Sequence, residues 1–213
     1  MHTGAVLDFD RPADVVAPRL LGGVVRKGDV AIRLTEVEAY LGPLDPASHA
    51  YRGNRGRAAV MYGPSAHLYV YLNYGIHRCG NLVCSPVGEA SGVLMRAGEV
   101  VAGLDLARAR RALAPGRPDD LLAKGPGNLG RALGLDLADS GAPLGGPDDE
   151  FEFIPAEPAS SVLVGPRVGV SRAAERQWRF WLPGEPSVSA YRRGSPMKPS
   201  TSGHSLQRGV TAD

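Results

Sequence analysis

Residues 30–40 alternate so that Val30, Ile32, Leu34, Glu36, Glu38 and Tyr40 fall on one face of a strand, a face that begins as core and ends in two acids and a phenol. A strand end running out to solvent would carry such acids at little cost. The alternative is chemical: a carboxylate beside an aromatic platform suits water activation next to a flat, stacked ring. Upstream, residues 14–21 predict a short helix with Asp14 as N-cap and Pro18 as a point of interruption. Residues 23–33 alternate around Lys27-Gly28-Asp29 and predict a hairpin that feeds the acidic strand. Residues 41–66 are rich in Gly, Pro and Arg and lack a period, the mark of a disordered or functional connection.

Residues 68–72 and 78–84 predict two strands joined at Asn73-Tyr74-Gly75, where Asn and Gly can supply the positive φ of a tight turn. A strand is expected at 92–97, the clearest helix at 101–113, and one or two short helices at 121–135 interrupted by Gly125-Pro126-Gly127, with Asn128 placed to cap the second. An acidic Gly/Pro-rich loop follows at 139–149. Residues 151–154, 162–170 and 178–182 predict later strands of the same sheet, with Ser187-Val188-Ser189 closing it. The last residues, 196–213, have no periodicity, so a flexible tail is expected behind one folded domain at 1–195.

A chain of 213 residues with 43% hydrophobic and 22% charged residues supports one sizeable core. No stretch approaches the roughly 20 apolar residues needed to cross a bilayer, and the N-terminal region, with Asp8, Asp10 and Asp14, lacks the basic-then-apolar pattern of a secretion signal. A cytoplasmic protein without membrane association is expected, with a monomer as the default state. Cys79 and Cys84 are too few for a disulfide framework and too poorly spaced for a metal site, so both are expected to pack as thiols. Net charge is only +2, but its distribution is uneven. Residues 52–96 carry Arg52, Arg55, Arg57, Arg78 and Arg96 against Glu89 alone, whereas residues 112–153 carry three basic residues against eight acids. The positive field thus falls on the segment that holds most of the tyrosines, where a polyanion would be drawn.

Tyr69, Tyr71 and Tyr74 lie within six residues, the first two on one side of a strand and the third in the turn that ends it. A ring on a stiff two-stranded arm can enter a base step and replace an extruded nucleotide, and a base stacked on Tyr71 would gain roughly 1–3 kcal/mol. The ordered blocks Thr35-Glu36-Val37-Glu38-Ala39-Tyr40-Leu41-Gly42, Ser48-His49-Ala50-Tyr51-Arg52-Gly53, Met61-Tyr62-Gly63 and Tyr69-Val70-Tyr71-Leu72-Asn73-Tyr74-Gly75-Ile76-His77-Arg78-Cys79-Gly80-Asn81 closely resemble the alkyladenine (3-methylpurine) DNA glycosylases. Val93-Leu94-Met95-Arg96-Ala97, Gly125-Pro126-Gly127-Asn128-Leu129 and Pro166-Arg167-Val168-Gly169-Val170 extend the match over about residues 9–196.

The resemblance implies a mixed α/β (α+β) single domain around a curved antiparallel sheet with a protruding β-hairpin, acting without metal or other cofactor on double-stranded DNA that contains damaged purines. It implies Glu38 as the general base that activates water, with Glu36, one pleat away, as its rival. Tyr40, His49, Tyr71 and Asn81 would line the base pocket, the two tyrosines sandwiching the ring and Asn81 crowding out an exocyclic amine. Tyr74 would be the wedge and Arg96 the holder of the flipped nucleotide's phosphate. Arg57 is the residue of the basic loop that matches the family, and His77 either reaches the groove or packs. The implied activity is that of a monofunctional N-glycosylase of base excision repair, which flips an alkylated or deaminated purine and hydrolyses its bond to deoxyribose. One carboxylate suffices for that reaction when the purine already carries positive charge, because no acid is needed to protonate the leaving group. Only Lys27, Lys124 and Lys198 could form a Schiff base and none lies in the constellation, so strand nicking is not expected. The alternative from another class is a catalytically silent binder of distorted or damaged nucleic acid; an RNA-directed relative is a third.

Overall fold

The computed structural model describes residues 7–146 and 149–195. The expected tail at 196–213 lies outside the described residues. Helix α1 (Ala13–Leu20) buries Ala13, Val16, Ala17 and Leu20, the spacing of one helical face. Asp14 sits inside its first turn rather than capping it; the first N–H, that of Ala13, donates instead to Ser91 Oγ at 3.1 Å. Pro18 is accommodated within the helix, where its missing N–H leaves only the Asp14 carbonyl without an i→i−4 partner.

The core is a single domain built on a curled antiparallel sheet. Its continuous path runs β3 (Leu68–Asn73), β4 (His77–Cys84), β5 (Ser91–Ala102), β2 (Val30–Tyr40), β1 (Val24–Lys27) and β7 (Phe151–Ile154). The two-residue strand β6 (Ala123–Lys124) pairs with β5, and β8 (Leu163–Gly165) pairs with β9 (Arg179–Trp181). The expected mixed α/β fold is therefore present. Strand β2 is its spine: β5 follows one edge throughout, while β1 covers the first half of the other edge and β9 the stretch Glu36–Glu38. With both edges paired, the acidic end of β2 does not run out to solvent.

The register of β2 on β5 is irregular around Glu36. Across that irregularity the main core changes from Val30, Ile32 and Leu34 to Val37 and Ala39, an even-to-odd switch. One continuous face turning acidic, as read from the alternation, is thus replaced by a strand whose core face changes parity. Glu36, Glu38 and Tyr40 are left on the face opposite that core, where the chain after β8 closes over them.

Several boundaries move. Strand β5 extends to Ala102, so Val101 and Ala102 are strand rather than the start of a helix; α2 (Leu104–Arg111) begins after Gly103, whose φ is +70°. A Cβ at Gly103 would stand 2.4 Å from the Asp29 carbonyl oxygen, so the helix can begin only at a glycine. Helix α3 (Pro126–Leu133) carries Pro126 at its first turn, and Asn128 lies inside it, donating to the Lys124 carbonyl at 2.7 Å rather than capping. Residues 166–170 form no strand, and 187–189 contribute hydrogen bonds instead of a sheet edge. Residues 41–66 are ordered as three 3-10 turns, Gly42–Leu44, His49–Arg52 and Gly56–Tyr62. In the acidic loop, Asp139 is buried and accepts from Lys27 Nζ at 2.6 Å, tying it to β1.

The predicted hairpin of β3 and β4 is present, paired from Leu68↔Leu82 to Asn73↔His77. Positive φ falls on Tyr74 (49°) and Gly75 (72°), not on Asn73. Helix α3 seats on β4 close to the tip of this hairpin through Gly130, where an added Cβ would lie 2.0 Å from the Arg78 carbonyl oxygen. Gly130→Ala is expected to destabilise the protein by about 1–3 kcal/mol, the usual range for overpacking, in urea unfolding followed by circular dichroism. An unchanged midpoint would show that α3 can shift off β4 freely.

Candidate active site

Glu36 and Glu38 are fully buried. Around them, Asp45, Arg96, Arg167 and Arg179 are also buried, making three carboxylates and three guanidiniums. Glu36 is heavily committed: Oε1 accepts from Arg96 Nε (2.9 Å), Arg179 Nε (2.7 Å) and Ser189 Oγ (2.9 Å), and Oε2 from the Ser189 N–H (2.7 Å). Glu38 is held more lightly. Its Oε2 accepts from Tyr40 hydroxyl at 2.8 Å, its Oε1 from the Val168 N–H at 2.6 Å, and Arg96 Nη1 stands 3.4 Å from Oε1. Burial, then the charge of Glu38, pushes the Tyr40 hydroxyl well above its usual range, so it stays a donor to that carboxylate.

Arg167 supports the same corner from behind. Its Nη2 donates to Asp45 Oδ1 (2.9 Å), its Nη1 to the Ala39 carbonyl (3.0 Å) and to the other Asp45 oxygen, and the guanidinium stacks 4.5 Å from the Tyr40 ring and 5.1 Å from the Trp178 ring. Burial disfavours its charge, but Asp45, Tyr40 and Glu38 outweigh this and hold its pKa up. The next residue, Val168, gives its N–H to Glu38, so one short segment fixes both the ring and the carboxylate.

The other wall comes from the hairpin and the 3-10 turns. Ser48 Oγ accepts from the Ala50 N–H and starts the turn that presents His49. His49 Nδ1 lies 2.9 Å from Tyr69 hydroxyl, and its ring meets Tyr71 edge-to-face at 4.5 Å. Arg57 Nη2 stands 3.4 Å from His49 Nε2, and its guanidinium lies 5.7 Å from the Tyr71 ring centre. Arginine can only donate, so Nε2 is the acceptor and Nδ1 carries the proton toward Tyr69. Although one edge of His49 is open to solvent, the packed ring and the charge of Arg57 lower its pKa to about 4. Tyr71 pairs across the strands with Cys79, a buried thiol that burial raises to about 11. The Asn81 amide nitrogen donates to the Tyr69 carbonyl at 3.0 Å.

Tyr40, His49, Tyr69, Tyr71 and Asn81 line one narrow cavity of about 80 Å³, with Met61 beside them. Tyr40 and Tyr71 also border a wider cleft of about 470 Å³, lined by Tyr74, Leu94, Arg96, Val168, Arg192 and Arg193 among others. An aromatic slot therefore opens between two tyrosines onto a basic channel. The hairpin stands at its rim: Tyr74 is 86% exposed at the tip and Ile76 70% exposed. His77 is exposed too, yet its ring rests on the first turn of α3, where a Cβ on Gly127 would come within 2.7 Å of it. Arg96 borders the channel from a buried position with its Nε given to Glu36. Of the residues singled out from the sequence, Tyr40, His49, Tyr71 and Asn81 line the slot, Tyr74 and Arg96 the channel, Glu38 is bonded to Tyr40 and Val168, and Arg57 stands against His49 and Tyr71, whereas His77 borders a separate cleft across the hairpin tip. A family model described as methylpurine-DNA glycosylase matches residues 7–186.

The chain belongs to the methylpurine-DNA glycosylase family. A protein of Corynebacterium jeikeium provisionally named 3-methyladenine DNA glycosylase is 52% identical over 208 residues, covering 92% of this chain and 97% of the relative. Relatives with the same provisional name come from Cutibacterium acnes (51% over 193 residues, covering 88% of this chain and 100% of the relative) and Leifsonia xyli subsp. xyli (54% over 188 residues, 84% and 87%). This chain is accordingly a DNA glycosylase. Among the described residues, no helix is long and apolar enough to cross a membrane.

Sequence reasoning did not single out Tyr69, Asp45, Arg167, Arg179 or Ser189 as parts of this glycosylase's site. Arg167 had a local signal, a lone charge inside the apolar run Val162-Leu163-Val164-Gly165-Pro166-Arg167-Val168-Gly169-Val170, because a charge in such a setting is usually buried against a partner. Because the folded His49 titrates below the ordinary value of 6.5, its contribution to stability is whole above that value and is lost as pH falls toward 4. Arg57→Gln removes the nearby positive charge, so the His49 midpoint is expected to rise toward 6.5 in a proton NMR titration. A midpoint unmoved by the substitution would show that Arg57 does not act on His49.

Proposed function

We propose that this glycosylase rotates an alkylated or deaminated purine out of duplex DNA and hydrolyses its bond to deoxyribose, with Glu38 as general base. The observation that carries the reading is the position of Glu38: a fully buried carboxylate whose hydrogen-bond partners, Tyr40 and Val168, are themselves walls of the aromatic slot and of the basic channel. With the base in the slot and its sugar-phosphate in the channel, the anomeric carbon comes to the junction where Glu38 sits.

In the reaction the C1′–N bond breaks with its electron pair leaving on the purine, and the sugar gains oxocarbenium character. Glu38 steadies that charge and takes a proton from the attacking water, whose oxygen bonds to C1′. Each Glu38 oxygen has a second lone pair beyond the hydrogen bond it accepts. Tyr40 and Tyr71 hold the ring between electron-rich faces, and neutral His49 with Asn81 reads its edge. Tyr74 fills the gap in the duplex, a role that a ring 86% exposed on a paired two-stranded arm suits. Arg96 gives its Nε to Glu36 and an Nη2 hydrogen to Ser189 Oγ at 3.2 Å, and turns the N–H donors left over to the phosphate of the flipped nucleotide; Arg57 and His77 approach the flanking backbone.

Glu38→Gln is expected to lower single-turnover excision about 10²–10⁴-fold, the usual worth of a positioned general base, with damaged-duplex binding retained. Glu36→Gln is expected to act on the fold instead, costing about 3–5 kcal/mol by leaving buried guanidiniums undercompensated. Loss of excision with normal stability in the Glu36 variant alone would transfer the catalytic role to that residue.

Because a cationic alkylpurine leaves without an acid, 7-methylguanine is expected to be released faster than hypoxanthine at saturating enzyme. Chromatography of the liberated bases measures both. Equal rates would mean that protonation of the leaving group is supplied by a residue other than Glu38. No purine release from methylated DNA, with tight binding intact, would leave only the silent-binder alternative.

A further inference from the structure

Beneath the hairpin, on the side away from the aromatic slot, lies a second cleft of about 580 Å³ bordered by His77, Arg78, Arg110, Arg111, Arg131 and Asp136. Four guanidiniums there face one carboxylate, which pairs with Arg78 at 3.1 Å. The others hold their place through backbone oxygens: Arg110 Nη1 donates to the Leu133 carbonyl (2.8 Å), Arg111 Nε to the Leu122 carbonyl (2.8 Å) and Arg131 Nε to the Arg110 carbonyl (2.5 Å). Those bonds fix the side chains and leave further N–H donors on each of the three guanidiniums. The like charges are close enough to be felt: burial, and then Arg131, lowers the pKa of Arg111. An assembly of fixed, mutually repelling guanidiniums with spare donors suits an anion with several oxygens.

Its position identifies the anion. Asn73 and Tyr74 border the catalytic channel, while Ile76, His77 and Arg78, across the three-residue tip, border this cleft. Pro126 belongs to the channel and Gly127 to the cleft, so the first turn of α3 is where the two meet. The wedge therefore stands between two basic surfaces. We propose that the cleft between α2, α3 and β4 holds the sugar-phosphate backbone of the duplex on the side of the wedge away from the flipped nucleotide. The inference rests on the duplex-DNA reading of the catalytic site and adds a second anchoring surface to it.

The test uses the full chain and the double variant Arg111→Gln/Arg131→Gln, bound to intact duplex and to a duplex with a stable abasic analogue, across a range of salt concentrations. The slope of log affinity against log salt is expected to become shallower by about 2 on both duplexes, one unit per lost phosphate contact. Purine release at saturating enzyme is expected to stay unchanged. Trimming the duplex on one side of the lesion should abolish the difference between parent and variant, while trimming the other side should not. Arg111→Lys/Arg131→Lys, which keeps both charges, should restore the slope; if it stays shallow although thermal unfolding is normal, the effect is structural and the proposal falls. An unchanged slope in the Gln variant also overturns it. A parent that binds with a steep slope sensitive to these substitutions but releases no purine overturns the hydrolytic reading and leaves the cleft standing. Normal purine release with no effect of the substitutions overturns the cleft alone.

Discussion

The structure depends on a charge balance struck out of water. Glu36, Glu38 and Asp45 are buried with Arg96, Arg167 and Arg179, three negative and three positive groups in one contiguous cluster. Each ion costs several kcal/mol to desolvate, and only close pairing with full hydrogen bonding offsets that. The pairing comes from distant parts of the chain: Arg96 from β5, Arg179 from β9, Arg167 and Ser189 from the irregular segments on either side of β9. The late chain must therefore return across the acidic end of β2 before the cluster closes. The slot, the channel and the orientation of Glu38 form with that closure, which couples the chemistry of the site to completion of the fold.

Much of the early chain was legible because its signals are local. The β1–β2 turn, the β3–β4 hairpin and the cluster Tyr69, Tyr71, Tyr74 follow from alternation and turn residues alone, and their observed bounds differ by a residue at most. What escaped is non-local. The parity change near Glu36 depends on how β5 and β9 pair with β2, and no alternation pattern in β2 itself announces it. Val101 and Ala102 look helical until β2 takes them as strand. Residues 41–66, aperiodic and rich in glycine, are ordered by contacts that no alternation announces, Arg167 on Asp45 from outside the segment and Tyr62 hydroxyl on the Ala50 carbonyl within it. The basic stretch at 52–96 is visible along the chain but the cleft is not, because Arg110, Arg111 and Arg131 meet Arg78 only once α2 packs on α3 and α3 on β4.

The two glutamates of β2 show how one strand face yields two different carboxylates. Both are fully buried and both neighbour Arg96, so burial and the nearest charge do not separate them. The donors do. Three donors within 2.9 Å crowd a single oxygen of Glu36, and a backbone N–H takes the other, so a proton or a water could reach it only by displacing part of the ion-pair network. Glu38 has one close donor on each oxygen, and both donors, Tyr40 and Val168, belong to residues that border the channel. Its two donors are a phenol that burial keeps protonated and a backbone amide, neither of which can take its proton. Glu36 absorbs the guanidinium charge that would otherwise clamp Glu38, and Asp45 does the same for Arg167 behind Tyr40. In the proposed reaction the neighbouring acids are what leaves Glu38 oriented but chemically available, since Glu38 alone among three buried arginines would be held in an inert salt bridge.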